Sequence, residues 1–582
     1  MFLFHPPYSS PGRQGAIRYT PGDPLCAVPL SGTAQSFPEV VDVIVVGCGP
    51  VGALAANYLG MQGVRTLIIE RDLRLFSQPR AFSCDDEAQR NLQAAGLTGP
   101  FAVQLWPCQG IDYVDGQKRV LGSVPLGELD FGVGHPAISF FNQPQLETVL
   151  RGALRRFAHV ELRIGHELVG FTQEPDFVTA QLKDRRTGRV HEVRARYLLG
   201  SDGSHSSVRR LMGVRMEGTS YEEPWIAISG TMPSSEPDFT YYVCDPDRPG
   251  FVTRGVDNEV RMDFLVKENE RTESVERSDV VERLMARYVD PRQVKLQRAS
   301  VFTFQSKVAE RWRDRRVFLL GDAAHVMPPF MGQGMCSGIR DAINLTWKVA
   351  LAVRGAADDA LLDTYEQERR PHAVNMINAT VLMGRVFLSR IRPVAAVRNW
   401  LLRWLFRIPR TRRMLRNYEF KPKMVLEQGC LAGGTRRKRT AAEGSYLPQP
   451  RVGLASGATV LLDEALGMRF AVLVLANADE PVLQCAEALA AELGGVCLRV
   501  LPVERPAEVR TGDVVDVEGK LFAWFSLHEA DAAVVRPDRY VYGASRGSGI
   551  ERFREELRRF VHLPTQARRD EAPAKALLSS GT

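Results

Sequence analysis

The sequence lacks a Cys-x-x-Cys pair. Its nine cysteines (Cys26, Cys48, Cys84, Cys108, Cys244, Cys336, Cys430, Cys485 and Cys497) are odd in number and scattered. That speaks against a disulfide framework and a zinc site, and fits a reducing compartment. No run of about 18 apolar residues occurs, so no transmembrane helix is expected. The opening MFLFHPPYSSPGRQG has neither a charged start nor a continuous apolar stretch, so no signal peptide is expected and the cytoplasm is the expected location. Charge of one sign is scarce: 75 Lys and Arg against 68 Asp and Glu leave +7 over 582 residues. This is too mild to indicate nucleic-acid binding, although a positive surface could gather anionic substrates or a nicotinamide phosphate. A Gly-x-Ser-x-Gly elbow, a His-Glu-x-x-His pair and a Walker A loop are absent too. Ser204, His205 and Ser206 are neighbours in sequence only, and a catalytic triad needs spatial convergence. What is present, 45% hydrophobic and 25% charged residues, is ordinary for a globular chain. The length suggests about three domains and a core that needs no staple.

The fold class expected is α/β. Residues 1–39, rich in Pro, Gly and Ser without periodicity, read as a disordered arm. From Val40 the run VVDVIVVG predicts a buried parallel strand, followed by a helix from about Pro50 to Gly63. VRTLIIE, ending at Glu70, predicts a second strand and completes a βαβ unit. Residues 40–213 form the first part of a nucleotide-binding domain. Residues 214–310 read largely as strands (WIAISGTM, FTYYVC, EVRMDFLV, SVFTFQSKVAE) and suggest an inserted β-sheet domain that shapes a substrate pocket. Residues 311–430 return to the first domain through RRVFLLGD, with a helix from about Gly334 to Val353 and helices onward to about Arg416. Residues 431–457 read as a linker, 458–563 as a small separate α/β domain, and 564–582 as a disordered tail.

One segment stands apart. Arg385, Arg390, Arg392, Arg398, Arg403, Arg407, Arg410, Arg412, Arg413 and Arg416 fall in 385–416 without a single acid, and Trp400, Leu401, Trp404, Leu405 and Ile408 recur at helical spacing. Two readings stand: a surface helix packing its apolar side on the core, or an interfacial helix meeting a membrane or a partner.

Three motifs carry chemistry. In Gly47-Cys48-Gly49-Pro50-Val51-Gly52, Gly47 permits a tight turn, Gly49 lets the backbone approach a pyrophosphate, and Gly52 lets helix and strand pack closely. The anion then sits at a helix N-terminus. Glu70, closing the next strand, can accept ribose hydroxyls, and an acid there argues against a 2′-phosphate. The second motif, YLLGSDGSHSSVRR, ends a strand at Asp202-Gly203. The third runs from Val317 to Ala350: Gly321-Asp322 ends a strand, Pro328 and Pro329 stiffen a loop, and Gly332 and Gly334 open a long helix. Asp322 can bond a polyol, and the helix start can stabilise negative charge on a reduced ring.

In this order, spread over nearly 300 residues, the motifs resemble those of the p-hydroxybenzoate-hydroxylase-like (group A) FAD-dependent aromatic monooxygenases. Pro328–Lys348 is similar to a stretch of the 3-(3-hydroxyphenyl)propionate hydroxylase subfamily, as are Pro79-Arg80-Ala81, Asp85–Glu87, Gln143–Glu147, Arg261–Phe264 and Val535–Tyr540. The resemblance implies a Rossmann-like FAD-binding domain with an inserted β-sheet substrate domain and a C-terminal thioredoxin-like α/β domain, with no redox role for the last. It implies that Gly47, Gly49, Gly52 and Glu70 hold the ADP half of FAD, with Pro50 and Val51 of the same loop. Arg71, Arg80 and Gln143 would lie along the pyrophosphate and ribityl chain, and Asp202 would serve both FAD and a transient nicotinamide cofactor. Asp322 would bind the ribityl or ribose hydroxyls; Pro329, Gly332, Gly334 and Met335 would lie beside the isoalloxazine. The sequence departs from the subfamily in its N-terminal arm and in Met262 and Asp263, which replace a usual Trp and Glu.

The activity implied is hydroxylation of a phenol ortho to its hydroxyl, with FAD as cofactor and O2 and NAD(P)H as co-substrates, NADH serving at least as well as NADPH. The substrate expected is 3-(3-hydroxyphenyl)propionate or a similar small aromatic acid. The alternatives are tailoring of a larger aromatic or polyketide-like natural product, and a non-catalytic relative. No nucleic-acid partner is expected, and a homodimer is an open expectation. His325 is a candidate general base or a structural hydrogen-bonding residue. Arg261 is a candidate partner for a substrate carboxylate or the mate of a structural acid. Cys336 is expected to pack rather than to do redox chemistry. No metal is expected.

Overall fold

Val40–Val46 is β-branched at nearly every position and lies buried between two parallel neighbours. It pairs with Val190–Gly200 on one side and Thr66–Glu70 on the other; the first of these pairs in parallel with Val317–Leu319 and the second with Val160–Ile164. In a parallel sheet all strands end at the same edge. Gly47, Glu70, Ser201–Asp202 and Leu320–Asp322 follow directly from four of these strands and therefore meet there. The computed structural model describes residues 37–75, 81–97, 104–233, 240–410, 421–423, 425–436, 441–503 and 509–563. The arm up to residue 36, the tail 564–582, Pro79 and Arg80 lie outside the described residues.

Two helices back this sheet. Pro50–Met61 is buried without a break from Gly52 to Gly60, as its small side chains allow. It packs on Gln333–Val353, where a Cβ added to Gly338 would come within 2.5 Å of Val51.

A second, eight-stranded sheet runs in the order His325–Val326, Lys295–Ala309, Met216–Thr231, Glu259–Leu265, Gly250–Arg254, Thr240–Val243, Gly110–Val114, Val120–Pro125. Its strands are thus not confined to 214–310. Thr240–Val243 pairs in parallel with Gly110–Val114, and Ile111, Tyr113, Leu121 and Val124 share one buried core with Tyr242 and Phe304. That long-range apolar match recruits a hairpin from 110–125.

A third sheet of seven strands spans Arg451–Ser545. The described residues of 431–457, expected to be a linker, are packed in part: Leu431, Ala442, Leu447 and Val452 are buried, and Arg451–Gly453 is already a strand of this sheet. The apolar residues between the charged ones hold them down. The mixed α/β sheets make a Rossmann-like FAD-binding fold with further α/β domains.

The basic segment forms the helix Arg392–Leu405. Its packed side is Ala395, Arg398 and Leu402; Trp400, Leu401 and Trp404 are exposed, which departs from the first of the two readings, an apolar side packed on the core. Arg398 decides the orientation. It donates to the Phe387 carbonyl at 2.8 Å and also to that of Cys244, and so must point inward.

Buried ions fasten the third sheet to the first domain. Arg536 lies 2.7 Å from Glu368 and 2.6 Å from Asp538, and Lys348 lies 2.7 Å from Glu368, all with fully buried side chains. Arg90 and Arg539 converge likewise on Asp463, at 2.7 and 3.0 Å. Burial alone would raise the Glu368 carboxyl, but Arg536 and Lys348 hold it down at about 2. Removing one member of such a cluster leaves uncompensated charge, at a cost of about 3–5 kcal/mol. Arg536→Met is therefore expected to lower unfolding stability in urea by roughly that amount. Because the folded Glu368 value lies below its ordinary 4.5, its contribution is complete above pH 4.5 and is lost as the pH falls towards 2. A variant as acid-resistant and urea-resistant as the parent would contradict this.

Candidate active site

The strand edge opens into a cavity of about 480 Å³. The turn Gly47–Gly52 forms one wall. Gly47 has φ +97°, and a Cβ there would meet the Ser201 carbonyl oxygen at 2.6 Å. A Cβ on Gly52 would sit 2.0 Å from the Gly47 oxygen, whereas one on Gly49 would meet nothing within 4 Å. Gly52 thus seals helix against strand, and Gly49 leaves room beside the cavity. Gly49 caps the helix Pro50–Met61 without a side-chain bond, and Pro50 takes its first turn. The remaining N–H groups are left for a ligand anion. Gly47, Gly49, Pro50 and Val51 line the cavity; Gly52 does not.

Glu70 also lines it. Its carboxylate accepts from the Cys48 amide at 2.9 Å and the Asp72 amide at 3.0 Å, fixing the acid beside the glycine turn. Arg151 donates to the Cys48 carbonyl at 2.8 Å from the opposite side. Arg71 stands half exposed at the rim. Gln143 accepts from the Ala81 amide at 2.7 Å and donates to Glu147 at 2.8 Å, a tie between two cavity walls.

Asp202 faces the cavity while its oxygens accept from the Ser206 hydroxyl at 2.5 Å and the Ser207 amide at 2.6 Å. These bonds shape the turn into the helix Ser207–Leu211. Asp322 is exposed into the cavity from the short turn Gly321–Ala323, which Arg209 steadies by donating to the Ala323 carbonyl at 2.9 Å. Pro329, Gly332, Gly334 and Met335 complete this side. Gly332 adopts φ +65° and caps the helix Gln333–Val353 without a side chain, so a second set of helix-start N–H groups is open. Two uncapped helix starts, the vacant space at Gly49 and acids at Glu70 and Asp322 fit the pyrophosphate, ring and polyol of FAD.

The far end of the cavity is apolar, walled by Ile111, Ile138, Phe140, Tyr242 and Phe251. Sequence reasoning missed these residues. The alternation in Thr240, Tyr242 and the run of aromatic strands was the available signal, but the parallel partner Gly110–Val114 was not. In the strand Glu259–Leu265, Val260, Met262 and Phe264 enter a core on one face, while Arg261 and Asp263 line the cavity from the other. Arg261 meets Asp263 at 3.0 Å. Burial raises the Asp263 carboxyl despite that arginine.

His325 is not at the cavity. It is fully buried, with Nε2 2.7 Å from Asp341, a placement that fits the structural hydrogen-bonding alternative and not a general base facing the cavity. Burial would raise the Asp341 carboxyl, but His325 and Arg369 hold it below its ordinary value. Proximity to Asp322 in sequence misled because the chain turns inward at Ala323. Cys336 is buried, its thiol pushed up to about 12 chiefly by burial, and it donates to the Gly332 carbonyl at 3.4 Å; it packs.

A dinucleotide edge with an aromatic pocket beyond it fits a flavoprotein that acts on an aromatic substrate. A family model described as an FAD binding domain matches residues 40–380, and one described as the HcaD C-terminal domain matches 444–560. A 3-(3-hydroxy-phenyl)propionate/3-hydroxycinnamic acid hydroxylase of Mycobacterium sp. (strain KMS) is 38% identical over 86% of this chain and 88% of its own. That of Comamonas testosteroni is 33% identical over 92% and 99%. The flavin-dependent monooxygenase PieE, solved with FAD and substrate, superposes with a TM-score of 0.74 at 22% identity over 89% of this chain and 99% of its own. Aklavinone-11 hydroxylase, solved with FAD and aklavinone, gives 0.71 at 24% over 90% and 99%. The two structures share the fold. The chain belongs to the family of FAD-dependent aromatic hydroxylases; it is an FAD-dependent aromatic monooxygenase.

Gly49→Leu is expected to yield folded but colourless protein, because there is room for the side chain only where the cofactor passes. Asp322→Ala should raise the FAD dissociation constant about tenfold, the loss of one ligand hydrogen bond of roughly 1.4 kcal/mol, without lowering the stability of the cofactor-free chain. Yellow Gly49→Leu protein, or an unchanged constant for Asp322→Ala, would refute these assignments.

Proposed function

We propose that the protein hydroxylates a phenolic acid ortho to its hydroxyl, using NAD(P)H and O2, and that the substrate is 3-(3-hydroxyphenyl)propionate or a similar hydroxyphenyl acid. The observation that carries this reading is the cavity's polarity: an aromatic wall with the guanidinium of Arg261 beside it. The names of relatives 33–38% identical over most of the chain support it.

FAD, when bound, would supply the redox chemistry between the nicotinamide and oxygen. The chain supplies binding and orientation. In this proposal the Gly47–Gly52 turn and the helix start behind Pro50 and Val51 hold the pyrophosphate, with Arg71 beside it, and Glu70 takes ribose hydroxyls. Asp322 would take the polyol, and Pro329 with the backbone from Gly332 to Met335 would hold the flavin ring. Gln143 and Asp202 hold the walls at the right separation. Ile111, Phe140, Tyr242 and Phe251 keep water out and fix the substrate ring. Arg261 receives the substrate carboxylate, with Asp263 steadying its guanidinium. The substrate's own hydroxyl feeds electrons into the ring and makes its ortho carbon the nucleophile, so the pocket's task is to aim that carbon.

A charge-assisted contact is worth roughly 1.5–3 kcal/mol, about one to two decades in affinity. Arg261→Met should therefore raise KM for the acid about ten- to a hundredfold more than for the matching alcohol, with kcat nearly kept. Equal losses for both would mean that Arg261 serves only Asp263. NADH should support turnover at least as well as NADPH, and strict NADPH dependence in steady-state kinetics would refute that. If no hydroxyphenyl-alkanoate stimulates NADH oxidation while a larger fused aromatic does, the substrate assignment falls and the flavin chemistry stands.

A further inference from the structure

The helix Arg392–Leu405 has three sectors. Ala395, Arg398 and Leu402 face inward against the strand Val120–Pro125, where Phe406 closes over Gly122. At about 100° per residue, Trp400 and Trp404 point away from that inward side, and Val397, Leu401 and Val394 follow round one flank. All five are exposed, Trp400 at 62% and Trp404 at 53%. Ile391 before the helix and Leu382 and Val386 on the preceding one are exposed as well. Packing within the chain therefore does not account for this apolar side.

The third sector is basic. Arg392 and Arg403 flank the tryptophans, and Arg407 and Arg410 follow beyond the helix end, all exposed. Arg392 leans on Asp247 at 3.0 Å and Arg403 on Asp115 at 3.1 Å, while Arg390 spans Glu223 and Glu268 at 2.9 and 2.8 Å. Arg407 and Arg410 meet no carboxylate among the described residues, and no acid occurs anywhere in 385–416.

We propose that this face docks on an anionic lipid surface. Tryptophans beside arginines on an amphipathic helix suit the headgroup boundary: the apolar side enters about 5–10 Å and the arginines stay with the phosphates. No helix among the described residues is long and apolar enough to cross a membrane, so the contact is peripheral. A second copy of the chain fits the face less well. A twofold contact would set one arginine flank against the other, with no acid in the segment to answer it.

The test is flotation of the FAD-loaded enzyme with vesicles. Phosphatidylcholine containing about a third phosphatidylglycerol should bind at least tenfold more tightly than phosphatidylcholine alone, since each arginine near an anionic surface is worth a factor of about five. Half-molar salt should erase the difference. The double variant Trp400→Gln/Trp404→Gln should lose at least tenfold in binding with FAD content and turnover unchanged. Arg407→Gln/Arg410→Gln should lose the anionic preference specifically. Absence of vesicle binding, equal binding to neutral vesicles, or unchanged binding by both double variants would overturn the proposal. So would a concentration-dependent dimer in sedimentation that the tryptophan variant abolishes, which would assign the face to a second copy.

Discussion

The whole site hangs on one close approach, where the strand Val40–Val46 ends against the strand Val190–Gly200. The Ser201 hydroxyl donates to the carbonyls of Val46 and Gly47 at 3.0 Å, and any side chain at Gly47 or Gly52 would have to occupy the space that these atoms fill. The contact joins segments about 150 residues apart. Once it is made, parallel pairing carries Val317–Leu319 to the other side of the same strand and presents Asp322 to the same opening. The cavity is thus a product of register: a slip of one residue would take Gly47 out of line with Ser201.

Beneath this edge the support is ionic. Arg340, on the helix Gln333–Val353, binds Glu87 at 2.7 Å and also Asp85, and it touches Gln333 at 3.2 Å. Lys421 reaches Asp85 at 2.9 Å and Asp86 at 3.2 Å. The loop that presents Gly332 and Gly334 therefore rests on a charge cluster with nearly every member buried. Such a support is rigid while every partner is present and costly when one is lost. It keeps two helix starts aimed at one opening without a covalent tie.

The glycine turn, Glu70 and the Gly321–Asp322 strand end were legible because their chemistry is local: a turn that needs no side chain, an acid that ends a strand. The apolar wall was not. Ile111 and Tyr242 become neighbours only when strands 130 residues apart pair, and no local pattern announces a parallel partner. The basic helix shows the same limit in another form. Spacing identified apolar residues on Arg392–Leu405, but Leu402 and Trp404 are both apolar, and only Arg398 reaching the Phe387 carbonyl shows which side is inward. His325 followed a legible motif and still proved structural, since one turn of chain separates the cavity from the core. Arg261 was legible as a cation on a strand; that its partner Asp263 stands two residues along the same face followed from strand alternation once the strand itself was placed.

The ion clusters that fasten the third sheet have a consequence for biosynthesis. Glu368 acquires its partner Arg536 and Asn344 its partner Asp538, and Arg90 acquires Asp463, only after nearly the whole chain has left the ribosome. At about 5–20 residues per second, a chain of this length takes roughly half a minute to two minutes to make. For the part of that interval after the first domain is made, Arg90 and Asn344 lack these partners, Glu368 has Lys348 alone, and apolar surface lies uncovered where the last sheet will sit. Nascent chains are then exposed to aggregation until the last sheet is made, and the yield of active enzyme is set by how well that wait is chaperoned as much as by the stability of the finished fold.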